Sequence, residues 1–143
     1  MIDTQDPFQL ARFVEAQESQ FETAMSELKA GEKRSHWIWF VFPQLAGLGR
    51  SSTAQFYGIR SLLEARAFLA HPILGDRYRQ AVEAMLDWAD RKNAAEMLGE
   101  VDAMKLRSSL TLFEAASGDP LFARAIDAFY GSADDATTNL LDR

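Results

Sequence analysis

Apolar residues recur at spacings of three and four along most of the chain, and no stretch alternates at period two, so the pattern is helical throughout. Leu10, Val14, Phe21, Ala24, Met25 and Leu28, with Phe13 alongside, mark one face of a long helix. Asp6-Pro7-Phe8-Gln9 predicts its start: Asp6 caps, Pro7 takes the first helical position, and Gln9 completes a capping-box spacing. Gly31 ends it. Gln17 interrupts the apolar face and reads as a rim position, or else as a polar group aimed into a pocket.

Ser61-Leu62-Leu63-Glu64 reads as a capping box opening a helix through Ala70. His71-Pro72 breaks the chain and starts a helix to about Asp90, with Leu74, Tyr78, Ala81, Val82, Met85 and Ala89 on one face. Asn93 to Glu96 caps a short helix stopped by Gly99. Asp102 starts a helix to Ala115. Asp119-Pro120 repeats the Asp-Pro start, and its helix closes at Gly131. Asp134 or Asp135 caps a last turn through Leu141.

Between the first two long helices lies His36 to Tyr57, the densest aromatic stretch. The unbroken apolar run Trp37–Phe42 predicts a short helix, because a lone strand would have nothing to pair with. Pro43 ends it. Gly47 and Gly49 then punctuate a loop, and Ser51, Ser52 or Thr53 starts a short helix through Tyr57. Gly47-Leu48-Gly49 is a poor dinucleotide loop: Ser52 stands at the third glycine position and no parallel-sheet pattern follows. The stretch reads as the centre of the core, the floor of a site, or both.

These elements predict an all-α fold: a single compact domain over residues 1–143, with about seven to nine mostly short helices in irregular orthogonal packing. Composition agrees, at 143 residues with 48% hydrophobic and 25% charged, long enough to bury a core without staples. Zero cysteines exclude disulfides and suit a reducing cytoplasm. The chain start, Met-Ile-Asp-Thr, has no basic or apolar leader region, and no apolar run is long enough to span a membrane. The formal charge of −6 argues against general nucleic-acid binding but leaves room for one local anion pocket. With only His36 and His71 and no cysteine, a zinc site is not expected, and no cofactor is. The sequence names no protein partner.

Candidate chemistry gathers in two places. His36, Trp37, Trp39, Gln44 and Tyr57 offer flat faces and hydrogen-bonding tips, and Arg50, Ser52 and Gln55 lie at the start of a short helix where an anion could sit. On the helix from Asp102, the residues Asp102, Lys105, Ser109 and Leu112 share one face, with Ser108 adjacent. That face reads as solvated, as a buried network, or as a Ser–Lys pair. Together these residues predict a pocket for a small anionic, nucleotide-like ligand, between the loop from Pro43 to Tyr57 and the helix from Asp102. Alternatives are an interaction domain without catalysis and an N-glycosidase-type hydrolase acting on ADP-ribose-like substrates. Whether the protein is an enzyme is left open.

The motifs at His36–Gln44, Ser52–Tyr57, His71–Arg77 and Lys105–Phe113 together resemble a bacterial family known as domain of unknown function 1810. The resemblance covers nearly the whole chain. It implies a compact, mainly helical domain and no established activity. Some members carry a calpastatin label, which does not suit a compact, apolar chain. There is a fainter similarity to the NADAR family, which is linked to NAD and ADP-ribose. It rests on Gln55, Tyr57 and Lys105; Ala54 stands about where that family's acidic catalytic residue would be sought.

Overall fold

The computed structural model describes residues 5–142. Residues 1–4 and Arg143, which the sequence reading includes in the domain, and the chain start read there as leader-free, lie outside the described residues. Nine helices follow in order among the rest: α1 (Ala11–Ala30), α2 (Ile38–Val41), α3 (Ser52–Tyr57), α4 (Leu62–Ala70), α5 (Leu74–Leu86), α6 (Ala94–Leu98), α7 (Glu100–Ser117), α8 (Pro120–Phe129) and α9 (Asp135–Leu141). The all-α class and the helix count are as the apolar spacing predicts.

Most helix ends follow the expected chemistry. Gly31 closes α1 with a left-handed φ of 73°. Asn93 and Glu96 form a reciprocal capping box on α6. Asp119 accepts from the Leu121 N–H ahead of α8, and Asp134 accepts from Thr137 at α9. Three ends differ. The first helix begins at Ala11, because Gln9 adopts a φ of 55° and breaks any earlier turn; Asp6 caps from a distance, accepting from the N–H groups of Leu10 (2.7 Å) and Ala11 (3.0 Å). The capping box at Ser61 is half made. Ser61 accepts from the Glu64 N–H, but the Glu64 carboxylate turns away to Arg12 and to the Arg60 N–H. The helix predicted from Asp102 starts at Glu100, directly after Gly99.

The centre of the fold is α7 rather than the aromatic stretch. It packs against α2, α4, α6, α8 and α9. Buried residues therefore run around it, from Ala103 and Leu106 through Leu110, Leu112 and Phe113. The aromatic stretch supplies one flank of that core: Trp37, Ile38, Phe40, Val41 and Phe42 are all buried. Tyr78 on α5 joins the two parts, its ring centroid 4.4 Å from Phe113 and 5.8 Å from Phe42. Gly75 lets α5 approach α4, since a Cβ there would lie 2.0 Å from the Leu69 carbonyl oxygen.

Gln17 is not a rim residue, but it does line a surface groove, with Phe21, Ile73 and Arg77, whose guanidinium donates to the Gln17 amide oxygen at 3.4 Å. Gln17 is 2% exposed, and its amide donates to the Phe40 carbonyl at 2.7 Å, tying α1 to α2. A second tie runs through Arg12. Its guanidinium donates to the carbonyls of Phe8, Gln9, Phe56 and Gly58 and to the Glu64 carboxylate. Arg12 thus joins the entry of α1, the end of α3 and the start of α4.

The chain from 46 to 58 forms a loop closed at its neck. Leu45 and Ile59 make an isolated parallel bridge, with Ala46 N–H donating to the Ile59 carbonyl (2.7 Å) and Ile59 N–H to the Gln44 carbonyl (3.0 Å). The α3 helix rides on this loop. None of its residues is fully buried, and α2 is its main helical neighbour. Such closed loops, packed by their own side chains, are frequent carriers of function.

Candidate binding cleft beside Lys105

Three elements meet at a small cleft. The α2 turn and its exit contribute Ile38, Trp39, Phe42 and Gln44; the neck-closed loop contributes Ala54, Tyr57 and Gly58; α7 contributes Lys105. Its volume is about 10 Å3, room for about one water molecule.

Trp39 is placed here by the shortness of α2. Its neighbours Ile38 and Phe40 point into the core, leaving the Trp39 ring half-buried at the edge. The Lys105 ammonium lies 4.9 Å from the centroid of the Trp39 ring, a cation–π contact. Asp102, one turn earlier on α7, holds the same ammonium at 3.8 Å. The other oxygen of Asp102 pairs with Lys33 at 2.7 Å, and Lys33 in turn sits over the Trp37 ring. Two ammonium groups thus share one carboxylate beside the cleft. The Trp39 indole nitrogen is buried and has no hydrogen-bond partner, alone among the described buried side-chain nitrogens and oxygens. A buried N–H left unpaired costs about 1–3 kcal/mol, so this one invites an acceptor.

The connector into α2 is held from α1. Glu27 accepts from the N–H groups of Arg34 (2.7 Å) and Ser35 (2.9 Å), the Ser35 hydroxyl (2.6 Å) and the Trp37 indole (3.0 Å). Burial works to raise the Glu27 pKa, but these bonds to the charged form outweigh it and hold the carboxyl at about 2.

The sequence candidates separate into three groups. Trp39, Gln44, Tyr57 and Lys105 line one cleft. His36, Arg50, Ser52 and Gln55 are exposed; the Gln55 amide donates to the Arg50 carbonyl, and Arg50 is not among the cleft walls. Trp37, Ser108 and Ser109 are buried with their polar atoms satisfied: Trp37 on Glu27, Ser108 on the Met104 carbonyl and Asp134, Ser109 on the Tyr78 hydroxyl at 2.8 Å. The α7 face carrying Ser108 and Ser109 is therefore a buried network, not a solvated one, and Ser109 bonds Tyr78 rather than Lys105. Sequence reasoning did not single out Glu27, Lys33 or Arg12, each a lone charge on an otherwise ordinary helix or connector with no motif to mark it, and it read Glu64 only as the closing residue of a capping box.

The profile of a family described as "Protein of unknown function (DUF1810)" matches residues 7–141 of the chain. The crystal structure of the conserved hypothetical protein Rv1873 from Mycobacterium tuberculosis is similar to the whole fold: TM-score 0.93 and 43% identity, covering 96% of this chain and 99% of the other. No curated protein matches the sequence.

Proposed function

The chain belongs to the DUF1810 family, and from its cleft we propose that it binds a small anionic, nucleotide-like ligand beside Trp39 and Lys105. The observation that carries this reading is the Lys105 ammonium held over the Trp39 ring, on a tryptophan whose buried N–H has no partner. An aromatic face suits a flat base, an ammonium suits a phosphate or carboxylate, and the Gln44 amide adds a directional bond. The enclosed space takes only a small group, so the body of the ligand lies at the mouth or displaces α3. A chain without cysteine fits a cytoplasmic setting for such a ligand.

Thermal shift against nucleotides, NAD, ADP-ribose and sugar phosphates tests the reading. A ligand at about 100 times its dissociation constant stabilises by roughly 2.7 kcal/mol. A hit that is lost in Lys105→Ala and weakened in Trp39→Phe supports the cleft. A flat screen at millimolar ligand overturns it. Release of nicotinamide or free ribose in the same mixtures would mark an N-glycosidase-type hydrolase, for which Asp102 is the carboxylate that reaches Lys105.

One observation favours a second reading. Val101 and Met104, 67% and 70% exposed, sit three residues apart on α7 beside Lys105. Apolar side chains so placed suit a protein-interaction domain without catalysis. A flat ligand screen together with a specific partner weakened by Met104→Glu would favour it.

A further inference from the structure

A larger groove, of about 420 Å3, within the range of small-ligand sites, is lined by Phe56 of α3. Phe8 and Phe56 form its apolar walls, with Arg60, Ser61 and Gln9 at its edges and the Arg12–Glu64 pair behind. Phe56 is 58% exposed although its ring is fixed edge-on against Tyr57, at 4.8 Å and 90°. A large aromatic side chain held rigid and left open costs little entropy on binding.

The charges in this groove do not cancel. Arg12 and Glu64 neutralise each other, and both are fully committed: Arg12 to its carbonyls and Glu64, and the second Glu64 oxygen to the Arg60 N–H. The Arg60 guanidinium is left over. Arg60 bonds only through its backbone, and its side chain has no partner among the described residues. The Ser61 oxygen accepts from the Glu64 N–H and keeps its own hydrogen to donate. In a chain of net charge −6, the groove lining therefore carries one excess positive charge, a planar five-donor cation and a free hydroxyl together with two phenyl rings. The Gln9 wall is held at a φ of 55°, a conformation unusual outside glycine.

We propose that the groove between Phe8 and Phe56 is a second binding site, for a small anion carried on a flat apolar body: an aryl carboxylate or an aryl phosphate. The rings enclose the body, Arg60 meets the anion in a bidentate contact, and Ser61 donates to it. Because Arg12 fixes both walls from behind, the site is formed before the ligand arrives. This site is separate from the Trp39–Lys105 cleft and stands or falls without it.

Titration of 15N-labelled protein with benzoate, phenyl phosphate and benzyl alcohol to about 5 mM tests the proposal, since millimolar affinity corresponds to about −4 kcal/mol. The expected result is saturable shifts of the Gln9, Phe56, Arg60 and Ser61 amides with at least one anion. Benzyl alcohol, which lacks the charge, should not saturate. Arg60→Gln, an exposed change that leaves the fold intact, should weaken the anion at least about tenfold, Phe56→Ser likewise, and Lys105→Ala not at all. The anion that binds more tightly names the source. Failure of both anions to saturate, an unchanged affinity in Arg60→Gln, or shifts confined to Trp39 and Lys105 would overturn it.

Discussion

Arg12 and Glu64, fifty-two positions apart, meet at 2.7 Å with 10% and 3% of their side chains exposed. Glu64 answers both the guanidinium and the Arg60 N–H. Removing it strands a nearly buried cation and an N–H together. Glu64→Ala should therefore cost about 3 kcal/mol or more in urea denaturation. A loss below about 1 kcal/mol would show that water takes over the role of the carboxylate.

Glu27 makes the fold acid-sensitive in a defined window. Its pKa in the folded chain is about 2, below the ordinary 4.5. The folded state thus binds the proton less readily than the unfolded chain. The contribution of Glu27 is complete above about pH 4.5 and is lost as pH falls towards about 2. Denaturation midpoints measured across that window should fall steeply in the natural protein. Glu27→Gln should be less stable at neutral pH and flatter below 4.5; parallel curves would contradict the assignment.

Trp37, at the N-cap of α2, and Trp39, within it, should respond differently to the same change. Trp37 donates to the Glu27 carboxylate, so Trp37→Phe loses a charge-assisted bond and should cost about 1.5–3 kcal/mol, cavity aside. Trp39 has no partner for its N–H. Trp39→Phe removes an unpaired donor and should be near neutral in the ligand-free protein. Equilibrium unfolding of both variants side by side checks the pair.

Gly75 reverses a familiar rule. Alanine for glycine inside a helix usually stabilises by up to about 1 kcal/mol. Here the added methyl would meet the Leu69 carbonyl at 2.0 Å and force α4 and α5 apart. Gly75→Ala should destabilise by about 1–3 kcal/mol by thermal denaturation. A stabilised variant would mean that the two helices separate freely.

The helical class and most boundaries were legible because they rest on local chemistry: spacing of apolar residues, Asn93 with Glu96, Asp119 before Pro120, glycines at 31 and 99. The convergence of Trp39, Gln44, Tyr57 and Lys105 was legible too, since the aromatic stretch and the α7 face were the two places where polar tips interrupted apolar bulk. Where the reading departed from the structure, the deciding partner was distant. Gln17 is buried because the Phe40 carbonyl, twenty-three positions away, needs a donor. The Glu64 side chain leaves its capping box because Arg12 offers a stronger, charged bond. Ser109 faces inward because Tyr78 supplies the hydroxyl that satisfies it. No spacing rule encodes these meetings.

The bridge between Leu45 and Ile59 has a consequence for variation as well as for shape. It fixes where the 46–58 loop leaves and re-enters the body, whatever lies between. Closing a loop twice as long costs only about 0.6 kcal/mol more. Insertions at the exposed Arg50–Ser52 tip can therefore accumulate without disturbing the core, and relatives are free to differ in reach at this mouth while sharing one unchanged scaffold beneath it.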